Sequence, residues 1–465
     1  MASLKKKKKV KNFNTEFTVM NAFMKGDIFT RMSSIIWGLG NIARKQIVKG
    51  LLFLIMEITF VVFFFRYGIS FISGLITLGT KKSGETFNET LQIYEYVQGD
   101  NSMLFLLYGI FTLFVIVGAV FVWRSAMKSA YEAQYNYNRG QHVNTFKQDI
   151  DDLFNGKIHR TLLFLPVMCV IVFTILPLIF MISMAFTNYD RLHQPPGQLF
   201  NWVGFDNFGK ILSADTGLGT AFWHVLGWTL IWAVFATVLN YLFGMILALV
   251  INRNGTRFKS FWRFIFILSI AVPQFVSLLV LRLMLDPDGA VNVLLRQLGL
   301  IGASQSLPFW TNATWARISI IVVNLWIGIP YTMLQTTGIL KNIPGELYES
   351  AKIDGANAVY IFFKITLPYM MFVMTPYLIT QFIGNINNFN VIYLLTKGAP
   401  AAMEYHNGTA GKTDLLVTWL YKLTIDFKDY NLGAVIGILV FVLSATFTLI
   451  TYRRTGSYKR EEEFQ

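Results

Sequence analysis

Two groups of polar residues interrupt long apolar stretches and repeat at the spacing of one helix face. Asn324, Gly328 and Tyr331 lie at positions i, i+4 and i+7. The second group has the same spacing and consists of Gln381, Asn385 and Asn388. Amides both donate and accept hydrogen bonds, and aromatic rings can cover an apolar face, so the groups suit an uncharged sugar. Hydrogen bonding between neighbouring helices is the alternative interpretation of the same amides.

The polar segment 341–364 has the composition of a short helix with a defined start and end. Asn342 is expected to cap it, and Pro344 suits its first turn. Glu346 and Glu349 are expected to stabilise its start, because acids favour the positive end of a helix. Asp354 and Gly355 are expected to form the turn that ends it. Such a helix on the inner face of a membrane can act as a lever against a cytoplasmic partner. An ordinary connector is the alternative.

Other residues that could do chemistry are isolated. Gly411–Thr413 has the sequence of the end of a phosphate loop, but His406 stands where that loop needs glycine. The five histidines lack metal-ligand spacing. The single Cys169 cannot form an intrachain disulfide. Glu57 lies inside an apolar run, where a structural or subunit contact is favoured over proton relay. We therefore predict neither catalytic residues nor a metal or cofactor on this chain.

The elements that position these residues are apolar runs long enough to cross a membrane. The 465 residues are 54% hydrophobic and 14% charged, against about 25% charged in soluble proteins. Composition thus excludes a soluble enzyme and a secreted disulfide scaffold. Eight runs approach the roughly 20 residues that a membrane helix needs, and they lie near 47–70, 103–123, 162–186, 224–251, 261–284, 316–340, 367–395 and 432–452. The predicted fold is an all-α polytopic membrane protein.

The positive charges are distributed unevenly between the loops. With the N-terminus inside, the inner segments hold 28 of the 40 Lys and Arg residues and the outer segments hold 10. This distribution obeys the positive-inside rule and predicts that both termini are cytoplasmic. The run from Lys5 to Lys9, with Lys11, is interpreted as a topology determinant and a contact for anionic lipid rather than for nucleic acid.

The runs divide the chain into five predicted parts. A basic N-terminal segment (1–46) is followed by two membrane helices (47–123) and a cytoplasmic linker (124–160). A six-helix core with the loop 341–364 (161–452) and a cytoplasmic tail (453–465) complete the chain.

The loop 341–364 resembles the EAA motif of ABC importer permeases. Ser350 replaces the middle alanine of that motif, and the residues that match it are Glu349, Ala351, Gly355, Ile365, Leu367 and Pro368. In that family the helix docks on the ATPase subunit and transmits its closure. The resemblance therefore implies an ATPase-coupling role for Glu346, Glu349, Ala351, Asp354 and Gly355.

Over residues 160–452 the chain is most similar to the larger membrane subunit of maltose and maltodextrin importers. The matching stretches include 186–189, 273–277, 324–331, 385–389 and 413–416. The resemblance implies a type I importer core of six helices preceded by two extra helices. It also implies that the sugar contacts Asn324, Ile327, Gly328, Tyr331, Gln381, Asn385 and Asn388. Gln381 replaces the small hydroxyl residue typical of the family.

The resemblance implies a transport subunit rather than an enzyme. Its expected partners are a second homologous permease, two ATPase subunits that bind Mg-ATP, an external sugar-binding protein and an oligosaccharide. Maltodextrin is the first expected sugar and galacto-oligosaccharide the next. The short outer loop 188–221 implies a Gram-positive host whose binding protein is lipid-anchored.

Two other functions compete with this one. A secondary sugar transporter driven by an ion gradient would carry acids in its core helices and repeated halves. A membrane anchor or sensor would not need the polar stripes.

Overall fold

The computed structural model of the chain describes residues 17–88, 92–253 and 255–453. The lysine run at 5–11 and the tail beyond residue 453 lie outside the described residues. The chain divides into two compact units. Unit 1 comprises the chain through Ser183 and Leu192–Trp202, and unit 2 comprises Met184–Arg191 and the chain from Val203 onward.

Unit 1 is mostly helical. Its three short first helices are α1 (Val19–Lys25), α2 (Ile28–Met32) and α3 (Leu39–Ile42). The longer helices are α4 (Ile47–Phe63), α5 (Ile69–Thr77), α6 (Ser102–Asn138), α7 (Phe146–Phe154), α8 (Ile158–Val170) and α9 (Leu176–Met184). Side-chain caps set several starts: Asp27 Oδ1 accepts from Thr30 N at 2.9 Å, and Asn101 Oδ1 accepts from Met103 N at 3.1 Å.

The last turns of α6 belong to a polar cluster with the first helices. Gln134 Oε1 accepts a hydrogen bond from Asp27 N at 3.0 Å, and Asn41 Nδ2 donates to Ser129 Oγ at 2.9 Å. Arg44 forms an ion pair with Asp27. These contacts hold the polar end of α6, which continues through the first part of the segment predicted as a linker, 124–160.

Glu57 has a structural partner within unit 1. Its Oε2 accepts a hydrogen bond from the backbone N–H of Trp37 at 2.8 Å, and the Trp37 side chain is buried. This contact ties α4 to the chain just before α3. It fits the structural interpretation of this acid.

A β-hairpin follows α5, and the sequence did not predict it. Strands β1 (Gly84–Asn88) and β2 (Ile93–Val97) pair in antiparallel register from Gly84↔Val97 to Asn88↔Ile93. Every residue of β2 is exposed. An exposed hairpin has no buried face to impose a strong alternating pattern on its sequence.

Unit 2 contains twelve helices among its described residues. They are α10 (Asp206–Leu212), α11 (Gly217–Asn252), α12 (Lys259–Ala271), α13 (Gln274–Met284), α14 (Ala290–Gln297), α15 (Ala313–Leu340), α16 (Gly345–Ile353), α17 (Ala358–Ile361), α18 (Leu367–Ile386), α19 (Phe389–Leu395), α20 (Leu416–Ile425) and α21 (Tyr430–Arg453). Helix α11 packs against both α15 and α18. Its Trp228 and Trp232 are buried, so α11 forms the centre of the unit.

Seven helical segments of the described chain are long and apolar enough to span a membrane. The eighth predicted span, 261–284, is not one straight helix: α12 and α13 meet at 88°. Pro273 supplies no backbone N–H at this point, which ends α12 and lets α13 begin. The number of spans is eight when this bent pair counts as one.

The predicted six-helix core differs in one respect from unit 2. Its first span, Ile158–Met184, falls almost entirely in unit 1, and none of its most apolar window is buried. The predicted domain boundaries remain predictions.

Among the described residues, three single turns of π-helix interrupt the apolar helices. They comprise Phe64–Gly68, Ile171–Ile175 and Phe362–Thr366. The third joins α17 to α18 without a loop, so the polar segment 341–364 connects directly to a helix that carries predicted sugar-binding residues.

Candidate functional site

A cavity of about 370 Å³ opens among α11, α15, α18 and the break between α12 and α13. It is lined by all seven residues predicted to bind sugar, namely Asn324, Ile327, Gly328, Tyr331, Gln381, Asn385 and Asn388. No Asp, Glu, Lys, Arg or His among the described residues lines it. The cavity therefore offers amides, hydroxyls and rings, which suit a neutral polar ligand.

Helix α15 presents one predicted group along a single face. Asn312 caps the helix by accepting from Thr314 N at 3.0 Å, and α15 then continues without a break past Tyr331. The Asn324 side chain is buried, yet its Nδ2 donates to no described residue. A buried amide nitrogen without a partner costs free energy, which a ligand hydroxyl in the cavity would recover.

On α18, Asn385 is held by α11. Its Nδ2 donates to Thr237 Oγ1 at 3.0 Å, and its backbone carbonyl accepts from Trp232 Nε1 at 3.0 Å. The alternative interpretation, hydrogen bonding between helices, thus holds for this amide nitrogen. The contact also fixes the position of the Asn385 side chain in the cavity wall.

Asn388 lines the cavity but does not continue the α18 face. Helix α18 ends at Ile386, and Asn388 caps α19 by accepting from Val391 N at 3.2 Å. The predicted i, i+4, i+7 stripe on one helix is therefore wrong at its last position. Asn side chains favour caps and turns over helix interiors, which explains the break.

Several lining residues were not singled out from the sequence. They are Asn240 on α11, Ser269 on α12, and Gln274 and Ser277 on α13. Asn240 interrupts the apolar run 224–251, so the rule that mid-span polar residues mark a pathway would have found it. The residues around Pro273 line the cavity because α12 and α13 are bent there, and the apolar pattern did not predict this bend.

The predicted coupling residues form an exposed surface at α16 and α17. A groove of about 600 Å³ lies between these helices, and Ala351, Asp354 and Gly355 line it. Glu346 and Glu349 are on α16, and Glu346 is exposed. The expected cap was wrong: Pro344, not Asn342, holds the N-cap position. The predicted end is correct, with Asp354 at the C-cap and Gly355 at a φ of +77°.

The coupling surface is anchored to the core of unit 2. The Tyr348 hydroxyl shares a hydrogen bond with Thr366 Oγ1 at 3.1 Å. Ile343, just before α16, is buried in a cluster with Tyr241 and Met370. A force on α16 is therefore applied to side chains of α11 and α18, two of the helices that line the cavity.

Residues 240–456 match the family described as "Binding-protein-dependent transport system inner membrane component". The galactooligosaccharides transport system permease protein GanP of Bacillus subtilis is 36% identical over 431 residues, which cover 92% of this chain and 97% of GanP. The chain belongs to this family. The maltodextrin transport system permease protein MalC of Streptococcus pneumoniae is 35% identical over 92% of this chain and 96% of MalC.

Solved structures agree on the fold. A chain of a bacterial ABC transporter involved in the import of the acidic polysaccharide alginate has a TM-score of 0.52 at 22% identity, covering 66% of this chain and 99% of its own. The comparisons confirm the resemblance to ABC importer permeases and the all-α, multi-pass fold. The chain is thus a membrane component of a binding-protein-dependent importer, a transport subunit rather than an enzyme.

Proposed function

We propose that this permease carries neutral oligosaccharides through the uncharged cavity of unit 2. One observation carries the proposal: all seven residues predicted to bind sugar line the same cavity, and no charged side chain of the described chain joins them. Maltodextrin is the first candidate and galactooligosaccharide the second, because permeases named for these sugars are 35–36% identical to this chain.

The absence of acids from the cavity lining, as far as the chain is described, also argues against proton-driven transport, which uses ionisable side chains along the pathway.

The proposed importer contains four further proteins: a second, homologous permease, two copies of a cytoplasmic ATPase and an extracellular, lipid-anchored sugar-binding protein. Both termini of this chain are cytoplasmic in the proposal, and the host is Gram-positive. The relatives from Bacillus and Streptococcus support that host.

In the proposed cycle, Mg-ATP binds and closes the ATPase dimer, and the dimer moves the α16–α17 surface. The cavity then opens outward and receives sugar from the binding protein, and hydrolysis resets it. ATP and the loaded binding protein both shift the populations of the same two states. This chain catalyses no covalent step.

Substitutions in the cavity test the proposal. Tyr331→Ala removes the ring and Asn385→Ala removes the amide, and both are expected to abolish uptake of labelled maltotriose and of a galactotriose. Basal ATPase activity and the amount of assembled importer should stay unchanged. Asn387→Ala is the matched control, because Asn387 is an exposed amide that does not line the cavity.

Unchanged uptake in both cavity variants would refute the site. Uptake that survives inactivation of the ATPase and stops when the proton gradient collapses would refute ATP-driven import.

A further inference from the structure

Asn240 lies in a wall that the 370 Å³ cavity shares with a second, smaller chamber. It lines the cavity beside Asn324 and Gln381, and it lines the chamber beside Tyr241 and Tyr377. Its side-chain oxygen is buried and accepts no hydrogen bond from any described residue. Asn240 is therefore a polar group placed in the pathway without a structural role that would account for its amide.

Gly328 is what allows the Asn240 amide to lie where it does. A Cβ atom built on Gly328 would lie 2.2 Å from Asn240 Nδ2 and 2.4 Å from Asn240 Oδ1. Even an alanine at 328 would overlap the amide, so the Asn240 side chain can take this position only because residue 328 is glycine. Gly328 thus contributes to the site by admitting a side chain from a neighbouring helix.

The small chamber explains how the amide oxygen can be satisfied. The Tyr241 hydroxyl also lines it and is also buried without a described partner. The chamber measures about 40 Å³, which accommodates one or a few water molecules and not a sugar ring. Two unpartnered polar atoms beside a space of this size are the usual setting of buried water.

We propose that Asn240 is a further sugar-binding residue. Its Nδ2 donates to a hydroxyl of the neutral oligosaccharide in the cavity, and water in the small chamber donates to its Oδ1. The small chamber ends the sugar site, because it holds water and excludes a sugar ring. This inference rests on the proposed function and adds a helix, α11, to the residues that recognise the sugar.

The first test compares the loss of two amides in the full importer reconstituted in vesicles. The probes are maltotriose and a galactotriose, each presented by saturating binding protein. Asn240→Ala should lower the uptake efficiency for the transported sugar roughly three- to tenfold, as loss of one neutral hydrogen bond would. Asn387→Ala, the same deletion at an exposed amide, should leave uptake unchanged, because Asn387 lines neither the cavity nor the chamber.

The second test is a double-mutant cycle between residues 240 and 328. Gly328→Ala should lower uptake strongly in the otherwise unchanged chain and much less in the Asn240→Ala background, where the overlapping amide is gone. The amount of assembled importer is measured for every variant. If Gly328→Ala does not assemble alone, assembly of the double variant supports the contact, and failure of both contradicts it.

The outcomes separate this inference from the proposed function. If Asn385→Ala abolishes uptake while Asn240→Ala transports as well as Asn387→Ala, Asn240 binds no sugar and the proposed function stands. If Asn385→Ala and Tyr331→Ala both transport normally, the sugar site itself is wrong. An equal cost of Gly328→Ala in both backgrounds would show that Asn240 is not what glycine at 328 accommodates.

Discussion

At the scale of single residues, Asp414, which lies just before α20, is a buried charge with several partners. Its side chain is fully buried and accepts three hydrogen bonds, from Gly411 N at 2.7 Å, from Thr418 Oγ1 at 2.8 Å and from Lys422 Nζ at 2.6 Å. Burial raises the pKa of the Asp414 carboxyl, and the Lys422 ammonium opposes that rise. These contacts hold the end of the segment between α19 and α20 against α20.

Replacing Asp414 by Asn should destabilise the protein. The amide oxygen could replace Asp414 Oδ2, which accepts from both Gly411 N and Lys422 Nζ, but the NH₂ could not accept the hydrogen bond from Thr418 Oγ1. Lys422 would also keep a charge with no ionic partner in a site where it is 17% exposed. Breaking a buried pair costs about 3 kcal/mol or more, so the thermal unfolding midpoint of the purified importer should fall by several degrees. The control is Glu404→Gln, the same chemical change in the exposed Glu404–Lys412 pair. Equal midpoints for the two variants would contradict the prediction.

Residue types and helical spacing were sufficient to select all seven predicted cavity residues once the family resemblance was added. Asn240 was missed although it interrupts an apolar run, and no spacing within one helix shows that its side chain lies against Gly328 on another helix. Nor did residue types and spacing show that Asn385 donates to Thr237. Contacts between helices depend on packing, which the spacing within one helix does not encode.

At the scale of elements, the helix α16 is defined more sharply at its end than at its start. No side chain caps the Pro344 start, whereas Gly355 takes a left-handed φ of +77° that reverses the chain into α17. The turn residues of the sequence predicted this end correctly. The start was misjudged, because Asn342 and Pro344 are both plausible first residues and only the backbone decides between them.

Gly355→Ala should weaken the link between ATP hydrolysis and uptake. A Cβ atom at 355 has open space around it, so the cost comes from the left-handed backbone alone and is about 1 kcal/mol. This strain should loosen the turn between α16 and α17 and lower the sugar transported per ATP hydrolysed. Gly345→Ala is the matched control, since Gly345 is also unobstructed but has no positive φ. The assay measures uptake and phosphate release in the same vesicles, and equal ratios in both variants would count against a role for the turn.

At the scale of the whole molecule, apolar run length predicted the number and order of the spans well. It failed where a span is bent, at Pro273, and where a helix outlasts its apolar part, as α6 does beyond residue 123. The reason is physical: hydropathy reports what faces lipid, whereas helix ends are decided by local hydrogen bonding. The hairpin after α5 was missed for a different reason, since its exposed strand β2 has no buried face to impose an alternating pattern.

The proposed topology can be tested with single cysteines. Cys169→Ser removes the natural thiol, and Glu85→Cys or Lys147→Cys then places one thiol at an exposed position. The positive-inside distribution predicts that a membrane-impermeant maleimide labels position 85 in intact cells and position 147 only after permeabilisation. The two residues serve as each other's control, and the opposite pattern would invert the proposed orientation.

The π-helical turn Phe362–Thr366 sets the angular phase between the coupling surface and the sugar cavity. Such a turn accommodates one more residue than an α-helical turn, and each residue of a helix corresponds to a rotation of about 100°. An ordinary α-helix with the same residues would turn Gln381 and Asn385 by about 100° relative to α16, away from the cavity. Deleting one residue while the turn becomes α-helical would restore their direction, because the wide turn holds its extra residue within a single turn. The wide turn therefore takes up one residue of the connection and keeps Gln381 and Asn385 facing the cavity.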